Sequence, residues 1–280
     1  MNIEDDYKPI ISIITVVLNN PKGLINTIES VINQNCSNLE FIIIDGGSDP
    51  ATISVIKEFE NQIDYWSSEK DNGIYDAMNK GINISRGNII GILNSGDCYC
   101  KDTFKIVINT FKSAHRAQVV FGDVILSMKN GNQLYTASVN KRMFNDGWMP
   151  HPAVFVKKVV YHEFGCFDNK LRISADYDFM LRIHSKIKIK YIDQPLAKMQ
   201  MMGFSTSNYL LKANEDYYVR KKNGMSVIRN MFLTAISIFS QAISNFIRLI
   251  FGFPEFRFES TELFSWARKN KRAFMSRIFF

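Results

Sequence analysis

The stretch IISIITVVL (residues 10–18) decides the fold of this 280-residue chain, because it is a continuous run of apolar and mostly β-branched side chains. Runs of this kind form parallel strands that are buried on both faces of a sheet. A helix is predicted to begin at Pro21, because the apolar residues that follow it recur at helical spacing. These residues are Leu24, Ile25, Ile28, Val31 and Ile32.

Strand and helix patterns alternate along the rest of the first half. The predicted strands are 41–44, 63–66, 89–93 and 119–121, and the predicted helices are 52–61, 75–84 and 102–115. This alternation indicates βαβ units, so we predict an α/β fold with a Rossmann-like, mostly parallel sheet flanked by helices. The second half is less regular, with predicted strands at 133–138 and 153–156, a helix that starts near residue 179 and another over 207–222.

Composition bounds the class of protein. Hydrophobic residues make up 46% and charged residues 22%, which excludes a disordered chain, a collagen and a multi-span membrane protein. The four cysteines are too scattered for a disulfide scaffold, which indicates reduced thiols in the cytoplasm. Acidic residues at positions 4–6 argue against a secretory signal at the start of the sequence.

The positive charge lies in the tail. Residues 220–280 hold 11 Lys or Arg and three Glu, a net charge of +8, so the first 219 residues sum to −1 within a total of +7. A uniformly basic nucleic-acid-binding protein is therefore disfavoured. We predict two parts, an α/β domain over residues 1–222 and a basic helical tail over 223–280.

Polar residues follow three of the predicted strands. Asn19, Asp45 and Asp97 each stand at or just beyond a carboxyl end, where open α/β sheets bind their ligands. Each alone is typical of a turn. Three together, two of them carboxylates, favour a ligand site.

Six segments, in order along residues 10–205, resemble those of glycosyltransferase family 2 of the GT-A fold, the bacterial kind that builds cell-surface polysaccharide such as lipopolysaccharide. They are ISIITVVLNN (11–20), FIIIDGGSDPAT (41–52), SEKDNGIYDAMNKGI (68–82), GILNSGDCY (91–99), MPHPAVFVKK (149–158) and ISADYDFMLRI (173–183). The resemblance implies inverting transfer of a sugar from a nucleotide-sugar donor, most commonly a UDP-sugar, to an acceptor hydroxyl.

The resemblance also implies a donor site. Its residues here are Thr15, Val17 and Asn19 for the base, Asp45 for the base or ribose, Asp71 and Gly73 for the continuing pocket with Asn79 and Lys80 nearby, and Ser95 and Gly96 beside the acidic motif. Two interpretations of Lys80 stay open, a phosphate contact and a solvated lysine on a helix.

The family's metal-binding motif matches Asn94-Ser95-Gly96-Asp97. Relatives usually carry two or three acids there, whereas this chain offers only Asp97 as a strong ligand. Mn²⁺ and Mg²⁺ prefer oxygen ligands and take many of them from diphosphate and water, so one carboxylate can suffice.

The general base of the family maps to Asp176, with Asp178 as the alternative. Both acids could instead serve the start of a helix, where a carboxylate complements the helix dipole. The resemblance places His151, together with Asp178, near the acceptor, although a histidine between two prolines could equally stabilise a loop.

The tail contains an apolar run over residues 231–253 that is interrupted by a polar stripe. The stripe consists of Thr234, Ser237, Gln241, Ser244, Asn245 and Arg248. It favours a helix lying in the plane of the membrane, which would attach residues 226–280 to the cytoplasmic membrane face. Packing on the protein or in a homo-oligomer is the alternative.

We therefore expect one sugar to be added to a lipid-linked or oligosaccharide acceptor. The Gln-x-x-Arg-Trp motif of processive synthases is absent, since Met201 and Met202 follow Gln200. Two other functions stay open. One is a non-catalytic sugar-nucleotide or glycan-binding protein; the other is a nucleotidyltransferase, for which residues 19–23 are a poor phosphate loop.

Overall fold

A computed structural model describes residues 10–127, 133–137, 149–200 and 208–251. The strands are β1 Ile11–Val17, β2 Leu39–Asp45, β3 Tyr65–Ser68, β4 Ile89–Asn94, β5 Cys98–Tyr99, β6 Val119–Ser127, β7 Gln133–Ala137, β8 Val154–Lys157 and β9 Ile189–Gln200. The helices are α1 Pro21–Ile32, α2 Pro50–Glu58, α3 Ile74–Ile84, α4 Thr103–Ser113, α5 Lys158–Phe164, α6 Ala175–Ile183, α7 Tyr209–Lys222 and α8 Val227–Phe251. Two short 3-10 turns are Glu60–Gln62 and His151–Ala153.

The strands form one mixed sheet in the order β3-β2-β1-β4-β8-β6-β9-β5, and β7 pairs with β6. Strands β3, β2, β1 and β4 run parallel, as predicted from their apolar runs. Because successive side chains of β1 point to opposite faces, Ile13 packs in the core cluster with α1 and α2. Ile14 instead meets Gly81 of α3 on the other face, so helices cover both sides.

The second half of the sheet is partly antiparallel. Strand β8 runs antiparallel to both β4 and β6, and β9 then pairs parallel with β6. The sequence interpretation did not include β5, β9 or helix α5. The register between β6 and β9 shifts around Gly122 and Asp123, opposite Pro195, so the alternation typical of a strand is broken there.

The chain divides into two compact units, residues 1–202 and 203–280. Helix α7 therefore belongs with α8 in the second unit, whereas the sequence interpretation grouped residues 209–222 with the catalytic domain. The assignment of a function to each part stays a prediction. Among the described residues, no helix has the length and apolar character needed to span a membrane.

Candidate active site

The carboxyl ends of three neighbouring parallel strands form one edge of the sheet. Asp45 at the end of β2 is in register with Val17 of β1, and Asn94 at the end of β4 is in register with Val16. Since adjacent strands lie about 4.8 Å apart, Asp45 and Asn94 flank β1 at a separation on the order of 10 Å. The structure therefore brings the polar residues at these strand ends to one edge of the sheet.

Two asparagines after β1 fasten its loop to the loops on either side. The N–H of Asn19 donates to Ser48 Oγ (2.7 Å), and Asn19 Oδ1 accepts from the N–H of Asp49 (2.9 Å). Asn19 adopts a left-handed conformation with φ 50°. Asn20 caps α1 by accepting from the Gly23 N–H, and it donates to the Ser95 carbonyl (3.1 Å).

Asp45 is fully buried and uses only one of its carboxylate oxygens within the protein. Oδ2 accepts from the N–H groups of Gly47 (3.1 Å) and Ser48 (2.9 Å) and from Ser68 Oγ (2.6 Å). Oδ1 is buried without a partner, as is the hydroxyl of Thr15 on β1. Buried polar atoms are rarely left unpaired, so these two are candidates for ligand contacts.

Asp71 lies directly against the turn that follows Asp45. A Cβ added at Gly46 would come within 2.5 Å of Asp71 Oδ2, so a larger residue at position 46 would displace the Asp71 carboxylate. Asp71 Oδ1 accepts from the N–H of Gly73, which has φ +116° and directly precedes α3. The structure thus brings Asp71, which hydrogen-bonds Gly73, against the turn that follows Asp45.

Lys80 and Asn79 lie further along α3. The ammonium group of Lys80 pairs with Glu69 (2.7 Å) and approaches Asp76 (3.7 Å), and the hydrogen bond with Glu69 raises the pKa of Lys80. The amide of Asn79 donates to the Phe167 carbonyl and accepts from the Phe167 N–H. These bonds join α3 to the segment that precedes α6. The sequence analysis did not predict this structural role for Asn79.

The turn Asn94–Asp97 after β4 forms hydrogen bonds with both α1 and β9. The N–H of Gly96 donates to Thr27 Oγ1 on α1 (2.9 Å), which also hydrogen-bonds the Asp97 carbonyl (2.7 Å). Asp97 Oδ1 accepts from the N–H of Gln200 at the end of β9 (3.1 Å). Burial raises the pKa of Asp97 to about 7, and the hydrogen bond from Gln200 opposes that rise.

A divalent cation is compatible with this turn if most of its ligands come from elsewhere. Among the described residues, no three His, Cys, Asp or Glu side chains cluster as a metal cage. Asp97 supplies a single carboxylate, and this side chain is almost completely buried. Diphosphate oxygens and water would complete the shell of Mn²⁺ or Mg²⁺, which tolerates few protein ligands.

Asp176 lies in the first turn of α6, and two donors hold one of its oxygens. Oδ1 accepts from the Tyr75 hydroxyl (3.0 Å) and from the N–H of Tyr177 (2.9 Å). The same Tyr75 hydroxyl lies 2.6 Å from the Ile173 carbonyl. Burial, followed by the charge of Asp176, raises the pKa of Tyr75 well above its usual value. Sequence reasoning missed Tyr75, although it lies within the motif that contains Asp71.

His151 lies in the same neighbourhood. Its ring packs edge-on against Phe167 at 6.0 Å between centroids, and Phe167 also packs against Tyr75. Both ring nitrogens are buried without a hydrogen-bond partner. Burial lowers the pKa of His151, and the negative charge of Asp176 opposes that shift.

Asp178 points elsewhere. It is fully buried and forms an ion pair with Arg182 one helical turn later, 2.9 Å from Nε. Arg182 in turn donates to the carbonyls of Phe164, Gly165 and Cys166. This geometry gives Asp178 a structural position and offers no support for the acceptor contact predicted for it.

Asn94 is a further site residue that sequence reasoning left without a role of its own. Its Oδ1 is buried and unpartnered, like that of Asp45. The signal in the sequence was its position as the first residue of the Asn94–Asp97 turn. Ser95 and Gly96 contribute mainly backbone there, since Gly96 has φ +104° and the Ser95 N–H donates to Val16.

The family model described as "Glycosyl transferase family 2" matches residues 12–167, more than half of the chain. The chain belongs to glycosyl transferase family 2. A PGL/p-HBAD biosynthesis glycosyltransferase of Mycobacterium bovis is 28% identical over 181 residues, which cover 63% of this chain and 70% of that protein. An uncharacterized glycosyltransferase of Methanocaldococcus jannaschii is 27% identical over 263 residues, 86% of this chain and 90% of that protein.

Solved structures show the same fold. S. aureus TarS 1–349 in complex with UDP-GlcNAc superposes with a TM-score of 0.63 at 14% identity, covering 84% of this chain and 72% of that one. The mannosyltransferase PcManGT from Pyrobaculum calidifontis, in complex with GDP-Man and Mn²⁺, gives 0.60 at 13% identity, covering 78% and 64%. The GT-A-like fold is thereby confirmed. The family match and the related sequences show that the protein is a glycosyltransferase that uses a nucleotide-sugar donor.

Proposed function

We propose that this family 2 enzyme adds one sugar to an acceptor hydroxyl by direct, inverting displacement. The observation that carries the proposal is the first turn of α3. Asp71, just before the helix, lies against Gly46, the residue after Asp45, and Tyr75 in the first turn hydrogen-bonds Asp176. Five residues of chain therefore connect the predicted nucleotide pocket to the predicted base.

Each residue has a distinct part in the proposed reaction. The unpaired oxygen of Asp45 and the hydroxyl of Thr15 bind the nucleoside, and Asp71 lies beside them. Asp176 takes the proton of the acceptor hydroxyl as that oxygen forms a bond to the anomeric carbon. The bond from that carbon to the diphosphate breaks, and the nucleoside diphosphate leaves with its electron pair.

Asp97 would hold a bound Mn²⁺ or Mg²⁺, which supplies Lewis-acid stabilisation of the negative charge on the leaving diphosphate. The backbone of Ser95 and Gly96 shapes the turn around this oxygen donor. The N–H of Gln200 and the hydroxyl of Thr27 keep the turn fixed. His151, with two unpaired ring nitrogens beside Asp176, is the proposed acceptor contact.

For the substrates we propose a UDP-sugar and a lipid-linked or oligosaccharide acceptor of surface-polysaccharide assembly. The TarS structure contains UDP-GlcNAc and the mycobacterial relative is named for PGL/p-HBAD biosynthesis, and both support this choice. Such an acceptor would place the enzyme on the inner face of the cell membrane, where residues 226–280 would attach it.

Calorimetry with UDP, GDP, CDP and dTDP in the presence of Mn²⁺ tests the donor. Release of nucleoside diphosphate from the matching sugar nucleotides and lipid acceptors then tests transfer. We expect Asp176→Asn to keep donor binding and to lose about 10²–10⁴-fold in rate. Asp102→Asn, an exposed acid at a left-handed position that asparagine tolerates, is the matched control.

The outcomes separate the alternatives. Normal turnover by Asp176→Asn would remove the base assignment. Nucleotide binding without any release by the unmodified chain would indicate a non-catalytic binding protein. Release of pyrophosphate in place of a nucleoside diphosphate would indicate a nucleotidyltransferase.

A further inference from the structure

Helix α8 presents its apolar side outward. Ile228 is 84% exposed and Phe239 is 68% exposed, and Met231 and Phe232 are more than half exposed. At 3.6 residues per turn, these four side chains fall within an arc of about 100° around the helix. We call this surface, defined by Ile228, Met231, Phe232 and Phe239, the outer apolar face.

The polar side of the same helix packs inward against α7. Arg220 of α7 donates through Nε to Asn230 Oδ1 (2.7 Å) and through Nη2 to Thr234 Oγ1 (2.7 Å). The Asn230 amide also donates to the Tyr217 carbonyl (2.8 Å), and Asn230 is only 1% exposed. The described beginning of the predicted polar stripe is therefore a contact between two helices and not a face turned to water.

This arrangement is the reverse of the usual one for a helix pair in water, in which apolar side chains are buried and polar ones face solvent. The outer apolar face leaves several large hydrophobic groups in contact with solvent. Exposed apolar surfaces of this kind mark contacts with proteins or membranes.

The charge around this face selects between those partners. From Tyr217 to Pro254 the sequence contains five basic residues and no Asp or Glu. Lys221 and Lys222 at the end of α7 and Arg229 at the beginning of α8 are exposed. Two copies of the chain would bring these cations together, whereas anionic lipid headgroups would neutralise them.

We propose that α8 docks in the plane of an anionic phospholipid bilayer through the outer apolar face, with Lys221, Lys222 and Arg229 on the headgroups. Arg220 of α7 packs against the opposite side of α8, so Asn230 and Thr234 do not have to face water. The proposal deepens the membrane attachment proposed for residues 226–280, and it does not depend on the sugar-transfer reaction.

Co-sedimentation of the full chain with vesicles of phosphatidylglycerol and phosphatidylcholine tests the docking, with pure phosphatidylcholine vesicles as the lipid control. We expect Phe232→Ser/Phe239→Ser to lower vesicle affinity at least about tenfold. Val159→Ser, which changes an exposed apolar residue of α5, should leave it unchanged. Ile228→Ser is a second, milder variant in case the double variant misfolds.

The variants Lys221→Gln and Arg229→Gln test the contribution of the positive charges to vesicle binding. Each should cost about fivefold in affinity for anionic vesicles at low salt, and the difference should shrink at high salt. Vesicle binding that survives both sets of substitutions would overturn the proposal. Sedimentation of the lipid-free chain as a dimer that the phenylalanine variants dissociate would also overturn it, in favour of a second copy.

Discussion

The hydroxyl of Tyr75 lies 3.0 Å from Oδ1 of Asp176, which joins the first turn of α3 to the first turn of α6. The N–H of Tyr177 donates to the same oxygen, so Oδ1 is engaged twice. Two donors on one carboxylate oxygen fix the orientation of the carboxylate. Tyr75 is thus a positioning residue for the proposed base.

Tyr75→Phe removes this bond together with the bond to the Ile173 carbonyl, and it leaves the ring packing against Phe167 in place. We expect kcat to fall about tenfold while the KM for the donor stays unchanged, because a hydrogen bond to a charged group is worth about 1.5–3 kcal/mol. Tyr65→Phe, on an exposed tyrosine, is the control. An unchanged kcat would exclude a role for Tyr75 in positioning Asp176.

The variant Asp45→Asn distinguishes the roles of the two carboxylate oxygens of Asp45. The asparagine oxygen can keep the bonds from Gly47, Ser48 and Ser68, while the amide nitrogen replaces the unpaired Oδ1 with a donor. We expect the melting temperature to change little and the affinity for the nucleotide to fall about 10- to 100-fold. Calorimetric titration with UDP measures this. Wild-type affinity would exclude Oδ1 as a ligand contact.

The parallel half of the sheet was predictable because β1, β2 and β4 are buried on both faces. Strands buried in this way consist of continuous runs of apolar residues. Strand β9 was not predictable, because its sequence IKYIDQPLAKMQ mixes charged residues with a proline. The pairing of β9 with β6 is also irregular. A two-residue strand such as β5 leaves no periodic signal at all. The missing elements are those whose pairing depends on distant chain.

The same limit applies to the site. Strand ends pointed to Asp45 and Asp97 because parallel strands share one ligand edge. The contacts of Asn79 with Phe167 span 88 positions and leave no trace in local sequence. The ion pair of Asp178 with Arg182 did have a signal, the four-residue spacing on one helix, which favours a structural pair over an acceptor contact.

The buried Tyr99 and the half-buried Tyr191 should respond to loss of their hydroxyls with changes in stability of opposite sign. Tyr99 lies among apolar rings, 5.0 Å from Phe104 and 5.5 Å from Phe155, and its hydroxyl is buried without a partner. Tyr191 donates to the buried Asp123 at 2.7 Å. Burial raises the pKa of both phenols.

Tyr99→Phe should therefore raise the free energy of unfolding by about 1–2 kcal/mol, because it removes an unsatisfied polar atom from the core. Tyr191→Phe should lower it by about 1–3 kcal/mol, because it leaves Asp123 with one donor fewer. Urea unfolding of both variants beside the wild type measures the two changes. Destabilisation by Tyr99→Phe would show that its hydroxyl has a partner in solution.

Glu40 provides a pH-dependent prediction at the edge of the sheet opposite the site. Its Oε2 accepts from Ser12 Oγ (2.5 Å) and the Arg86 N–H (2.6 Å), and its Oε1 accepts from Arg86 Nε (2.6 Å). Burial raises the pKa of Glu40, but these donors outweigh it and leave the pKa below its ordinary 4.5. A lowered pKa in the folded state stabilises the protein above pH 4.5, and the contribution is lost as the pH falls through the folded value.

Glu40→Gln should therefore cost about 1–3 kcal/mol of unfolding free energy at pH 7, since it removes the charge that these donors stabilise. The gap between wild type and variant should narrow as the pH falls below about 4.5, because the wild-type carboxyl then becomes neutral as well. Denaturant unfolding at several pH values measures the gap, with the exposed Glu29→Gln as control. A gap that stays constant down to low pH would mean that the geometry of the glutamate, and not its charge, holds Ser12 and Arg86 together.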